Sequence, residues 1–164
     1  FDIWRESYGI GIPGCMPQGL AYSALLRGLK ARIICRKSHL IQISEKLAQG
    51  ENKEIALFTS KTLLEKAKAH AMELVDKSLD LRDIKKAMTH KQIPLVMINM
   101  KALHQIDSPH WIVVVGIDKE GVHINDPYNK NGKDIFVKKS SFIQMMNDLE
   151  KYSGIGKRML LIAK

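Results

Sequence analysis

The chain has 164 residues, 45% of them hydrophobic, with 26 Lys and Arg against 17 Asp and Glu and a formal net charge of +9. Such a length and apolar content suit one globular domain, residues 1–164, with a core of its own, and exclude a disordered chain. The lysines are scattered in clusters such as Lys66/Lys68, Lys85/Lys86 and Lys138/Lys139, which read as solvated helix faces, and aromatic residues make up only 6%. Spread charge without stacking platforms argues against a nucleic-acid or membrane-surface module, and no apolar run approaches the length of a membrane span.

The start, Phe1-Asp2-Ile3-Trp4, has neither an initiator Met nor a basic leader region and reads as a piece of a longer or processed chain. Gly9 to Gly14 is a loop by composition. Cys15 ends it. Pro17 is placed for a first helical turn and Gly28 for a stop, with Leu20, Ala21, Ala24 and Leu25 at helical spacing between them. Ala31 to Cys35 is a strand in which Cys35 is a buried core thiol. Ile43 to Ala48 is a short helix closed by Gln49-Gly50. A long helix runs from Asn52 to His70, with Ile55, Phe58, Leu63 and Ala67 facing inward. Met72 to Val75 is a short strand. Asp80 caps a helix from Leu81 to His90 with an apolar stripe at Leu81, Ile84, Ala87 and Met88. Pro94 to Met100 is an apolar strand, and Lys101 to Ser108 a polar connection.

Residues His110 to Ile117 are apolar and β-branched, as a buried strand requires. Asp118-Lys119-Glu120-Gly121 is a hairpin loop, and the return strand ends at Asp126-Pro127, because proline cannot donate to a ladder. A turn-rich loop follows from Tyr128 to Asp134, then a strand from Ile135 to Val137. Ser140 or Ser141 caps a helix through Leu149, with Phe142, Met145, Met146 and Leu149 inward, and Lys157 to Ala163 is the last strand. Helices first, then an antiparallel sheet with helices on it, is an α+β pattern.

Two features carry chemistry. Cys15 stands at or just before a helix N-terminus, where the helix dipole and free N–H groups favour a thiolate. Pairing of the hairpin strands brings His110 close to Asp126, and a His beside an Asp is half of a catalytic triad. Cys15 is the candidate nucleophile, with His123 and Asn125 as alternatives to Asp126 for the third member. Two cysteines are too few for a disulfide scaffold and point to a reducing, cytoplasmic location, although a Cys15–Cys35 bridge stays open. No Cys or His spacing suggests zinc, so neither metal nor cofactor is expected.

The segment Gly14-Cys15-Met16-Pro17-Gln18-Gly19-Leu20-Ala21, with Arg27-Gly28, resembles the Gly-Cys-Gly-Pro-x-Gly-Leu-Ala…Arg-Gly motif of the bacteriocin-processing, double-glycine-leader peptidase-like superfamily. In particular it is similar to a bacterial branch sometimes fused to acetyltransferase domains. The upstream Ile3-Trp4-Arg5-Glu6, the strand Pro94-Leu95-Val96-Met97-Ile98, and the segments Pro109-His110-Trp111-Ile112-Val113-Val114-Val115-Gly116 and Asn125-Asp126-Pro127 extend the likeness from Ile3 to Tyr128. The resemblance implies a papain-like cysteine peptidase fold in which Cys15 is the nucleophile, His110 the base and acid, and Asp126 its orienter. A peptide or protein is then the substrate. A deamidase or acyltransferase uses the same groups, and a peptide-binding descendant without activity is the reading from another class. The chain departs from the motif twice: Met16 replaces a Gly after the Cys, expected to narrow the cleft, and no Gln precedes Cys15 as an oxyanion donor, leaving Ser7 or Tyr8 as stand-ins.

Overall fold

A computed structural model describes residues 2–9, 14–48, 50 and 52–164. Residues 10–13 of the expected Gly-rich loop and Gln49 lie outside them. The helices are α1 (Asp2–Ser7), α2 (Pro17–Leu26), α3 (Gln42–Leu47), α4 (Asn52–Ala69), α5 (Leu81–Thr89), α6 (Lys101–His104) and α7 (Lys139–Ser153). The strands are β1 (Lys30–Cys35), β2 (Glu73–Asp76), β3 (Ile93–Asn99), β4 (Pro109–Ile117), β5 (Gly121–Asn125), β6 (Ile135–Lys138) and β7 (Arg158–Ala163).

All seven strands form one sheet in the order β2-β1-β7-β3-β4-β5-β6. The pairs are antiparallel except β1–β2, which run parallel because α3 and α4 carry the chain back between them. The C-terminal strand β7 lies in the middle, between β1 and β3. Strand alternation divides the core into two layers. On one face Ile34, Val96, Ile98, Ile112, Val114, Ile124 and Met159 pack with Phe142, Met145 and Met146 of α7 and with Ile84 and Ala87 of α5. On the other, Ile33, Cys35 and Leu160 pack with Ala21 and Ala24 of α2 and Ala67 of α4, beside a cluster of Met16, Ile43, Ala56, Leu63 and Met97. The result is an α+β fold, helices packed on both faces of one sheet.

Local chemistry explains most boundaries. Pro17 opens α2, and Gly28 closes it at φ +73°, with Gly28 N–H and Leu29 N–H donating to the carbonyls of Leu25 and Ala24. Asp80 accepts from the N–H groups of Arg82 and Asp83, while the Asp83 carboxylate accepts from Asp80 N–H, a complete capping box on α5. At the β4–β5 hairpin, Asp118 Oδ1 accepts from the N–H groups of Glu120 and Gly121. A bulge between Val114 and Gly116 leaves Val115 as the extra residue.

Residues 2–7, to which the sequence assigns no element, are helical, and three expectations are corrected. In α4 the inward residues are Ala56, Ser60, Leu63 and Ala67, whereas Ile55 is 46% and Phe58 73% exposed. The small residues win that face because α4 packs closely on α2, through Gln18 Nε2 donating to Ser60 Oγ at 2.5 Å. The helix after β6 begins at Lys139, without a serine cap. Finally, the connection from 101 to 108 contains α6.

Candidate active site

The site begins with how α1 and α2 are clamped. Glu6 accepts from Ser23 Oγ at 2.5 Å and from Arg27 Nη1 at 2.6 Å, which fixes α1 along α2. Arg27 lowers the Glu6 carboxyl below the usual range, with Ser23 adding to it. At Gly19 an added Cβ would lie 2.5 Å from Ser7 Cα and 2.9 Å from Ser7 O, so glycine alone permits this crossing. Beyond it Tyr8 and Cys15 form an antiparallel bridge, with Met16 N–H donating to Ser7 O at 2.8 Å and Gly9 N–H to Gly14 O at 3.3 Å. In that pattern Tyr8 and Cys15 are the non-hydrogen-bonded pair, so the polar groups of Cys15 point away from Tyr8. Its carbonyl accepts from Trp111 Nε1 at 3.0 Å. Its N–H takes part in no hydrogen bond among the described residues.

Cys15 is partly exposed, directly before the Met16 N-cap of α2. Ser7 Oγ lies 3.1 Å from Cys15 Sγ and 2.5 Å from Ile3 O. One hydroxyl proton serves one of these acceptors at a time, so Ser7 can donate to the sulfur when it is anionic. Trp4 stacks on Tyr8 with ring centroids 4.3 Å apart, lining the same segment with half-exposed aromatic surface.

The second half of the site is built at the start of β4. Continuing the Val113–Asn125 register sets Asp126 diagonal to His110, within an imidazole's reach. His110 Nε2 and Asp126 Oδ1 are 2.7 Å apart. Asp126 is 3% exposed. Its Oδ1 also accepts from Tyr128 N–H at 2.9 Å, and its Oδ2 lies 2.6 Å from His104 Nε2. Burial pushes the Asp126 carboxyl up, but the hydrogen bonds from His104, His110 and Tyr128 N–H outweigh it and hold it below the usual carboxylate range. A cavity of about 290 Å³, lined by Val113, Asn125, Pro127 and Lys130, opens beside Asp126.

The structure thus joins His110 to Asp126 directly, and joins Cys15 to Trp111, the neighbour of His110. A direct hydrogen bond between Cys15 Sγ and His110 is not among the contacts of either residue. His123 and Asn125 stand apart from the pair. His123 contacts Asp134 and Asp118 on the surface, and Asn125 Oδ1 accepts from Asp134 N–H. Met16 is wholly buried in the core with Ile43 and Leu63, so it does not narrow the cleft. Ser7 is also fully buried and spends its hydroxyl on Cys15 and Ile3, which removes it as an oxyanion donor. Both cysteines are free thiols. Burial pushes the Cys35 thiol up. His104 was not legible as a site residue: it lies in a polar stretch whose only signal was a His.

Among the described residues no group of three or more His, Cys, Asp or Glu side chains is arranged to hold a metal ion, and no helix is long and apolar enough to cross a membrane. The sequence profile of the peptidase C39-like family matches residues 1–161. The chain belongs to the peptidase C39-like family. As a member of that family it is a cysteine peptidase-like domain, and the Glu6–Arg27 clamp joins its Trp4-Arg5-Glu6 segment to the Arg27-Gly28 pair that closes α2. No curated protein and no solved structure matches the chain.

Proposed function

We propose that this peptidase C39-like chain is a cysteine peptidase that cleaves a peptide or amide bond, with Cys15 as nucleophile, His110 as base and acid, and Asp126 as the group that orients His110. The observation that carries the reading is the 2.7 Å contact between His110 Nε2 and the buried Asp126. An ionised carboxylate only accepts, so the His110 Nε2 carries the hydrogen and Nδ1 keeps a lone pair. That lone pair removes the Cys15 proton, and the thiolate, steadied by the Ser7 hydroxyl, attacks the scissile carbonyl carbon. The Cys15 N–H faces away from the Tyr8 bridge, which makes it a donor for the developing oxyanion. Collapse expels the amine, protonated by His110, and leaves a Cys15 thioester. Water activated by His110 then hydrolyses the thioester and regenerates the thiol.

Residues 1–164 act as one catalytic domain in this reading, supported by the single seven-stranded sheet. Peptides with a double-glycine cleavage site are the first substrates to try, on the strength of the motif resemblance to bacterial leader peptidases. The two free thiols favour a reducing, cytoplasmic setting. The test is iodoacetamide alkylation of Cys15 against pH in a Cys35→Ala background, with and without His110→Ala. Reactivity persisting below the free-thiol range of about 8.5, and lost in His110→Ala, is expected. A Cys15 that is inert, or indifferent to His110, would overturn the reading.

A further inference from the structure

We propose that His104 is a positioning residue for His110, acting through the far oxygen of Asp126. The inference rests on the roles given above to His110 and Asp126 and adds a fourth side chain to them. The carboxylate torsion of an aspartate is broad and roughly two-fold, so a single anchored oxygen does not fix its plane. In Asp126 the two oxygens are held separately: Oδ1 by His110 Nε2 and Tyr128 N–H, Oδ2 by His104 Nε2 at 2.6 Å. The second anchor fixes the plane, and with it the direction from which Oδ1 receives the His110 N–H.

The rings are fixed as well. The Tyr128 ring packs on His104 at 4.7 Å and stands 6.1 Å from His110, while the two imidazoles meet edge-on at 6.2 Å and 87°. The connection that carries His104 is itself pinned. Met100 N–H donates to Ser108 O, Asn99 Oδ1 accepts from Lys101 N–H, and Asn99 Nδ2 donates to Asp107 at 2.7 Å. Gln105 turns the chain at φ +60° directly after His104. The nine-residue connection between β3 and β4 is therefore shaped to present one imidazole to a carboxylate already used by another. Because that carboxylate only accepts, His104 as well as His110 holds its hydrogen on Nε2.

The experiment compares His104→Phe, which keeps a ring against Tyr128 but removes the N–H, with His104→Gln, whose amide N–H substitutes for Nε2–H. Both are made in the Cys35→Ala background, and His110→Ala is run beside them. Cys15 alkylation rates and the His110 tautomer, by ¹⁵N NMR, are the readouts. His104→Phe is expected to slow alkylation about ten-fold and to mix the His110 tautomers, with His104→Gln recovering most of the rate. Rate and tautomer unchanged in His104→Phe, with only thermal stability lowered, would overturn the proposal and leave His104 as packing. If His110→Ala also leaves Cys15 unchanged, the peptidase reading fails instead. The unmutated protein gives an independent check: a His104 found in the Nδ1–H tautomer refutes the proposal without any variant.

Discussion

Replacing Gly19 with alanine sets two effects of opposite sign against each other. Gly19 lies inside α2, where alanine should stabilise the helix by about 1 kcal/mol. Its added Cβ, however, falls 2.5 Å from Ser7 Cα, 2.9 Å from Ser7 O and 3.0 Å from Ser7 C. These are backbone atoms of a fully buried residue, so no rotamer change relieves the overlap. Ordinary contact requires α1 to retreat by about 1 Å, and overpacking of this kind costs about 1–3 kcal/mol. Glu6, tied to Ser23 and Arg27, resists the retreat. The balance is a net loss of up to about 2 kcal/mol, or up to roughly 8 °C in Tm for a chain of this size. The same retreat draws Ser7 Oγ away from Cys15 Sγ, now 3.1 Å off, so Cys15 alkylation should slow along with the loss of stability. Urea denaturation and alkylation of one preparation measure both. A Gly19→Ala protein stabilised by the helix-propensity amount, with normal Cys15 reactivity, would refute the claim that this crossing holds the nucleophile.

Trp111→Phe should keep much of the apolar packing but release the Cys15 carbonyl, costing about 1 kcal/mol; its signature is a larger change in Cys15 alkylation than in urea midpoint. Arg158 is fully buried, burial pushes its guanidinium down to about 10, and among the described residues only its Nε is bonded, to Gly156 O. Arg158→Met should therefore raise stability by about 1–3 kcal/mol in urea unfolding, and a marked loss would contradict the cost assigned to that buried charge. The hydrogen bond to Asp134 raises the His123 pKa against a slight desolvation, with Asp118 adding to the rise. A raised folded-state pKa contributes stability that is fully present below about 6.5 and disappears as pH rises through the folded value. His123→Gln should accordingly lower Tm at pH 5.5 and have little effect at pH 9; equal losses at both would remove the linkage.

Much of the sheet and the His110–Asp126 pair were legible because the signals are local. The hairpin from 109 to 127 declares itself by β-branched runs and a polar turn, and the α7 stripe of Phe142, Met145, Met146 and Leu149 is buried as its spacing requires. Asp80 reads as a cap from its place before an apolar stripe. Three of the misses share a cause: partners distant in sequence. Ile55 and Phe58 look like core residues until the close approach of α2 selects Ala56 and Ser60 instead. Nothing near residue 158 says that β7 inserts between β1 and β3. His104 has no periodic neighbours, and only the fold shows that Asp126 has a second oxygen to occupy.

The placement of the two tryptophans has a practical consequence. Trp111 donates to the carbonyl of Cys15, and Trp4 stacks on Tyr8, the residue bridged to Cys15. The chain has no other tryptophan. Its entire indole emission therefore originates beside one thiol, and the remaining 162 residues contribute no indole signal. Acylation, alkylation or occupation at Cys15 should register directly as a change in intrinsic fluorescence. The protein carries its own stopped-flow reporter, usable before any substrate has been identified.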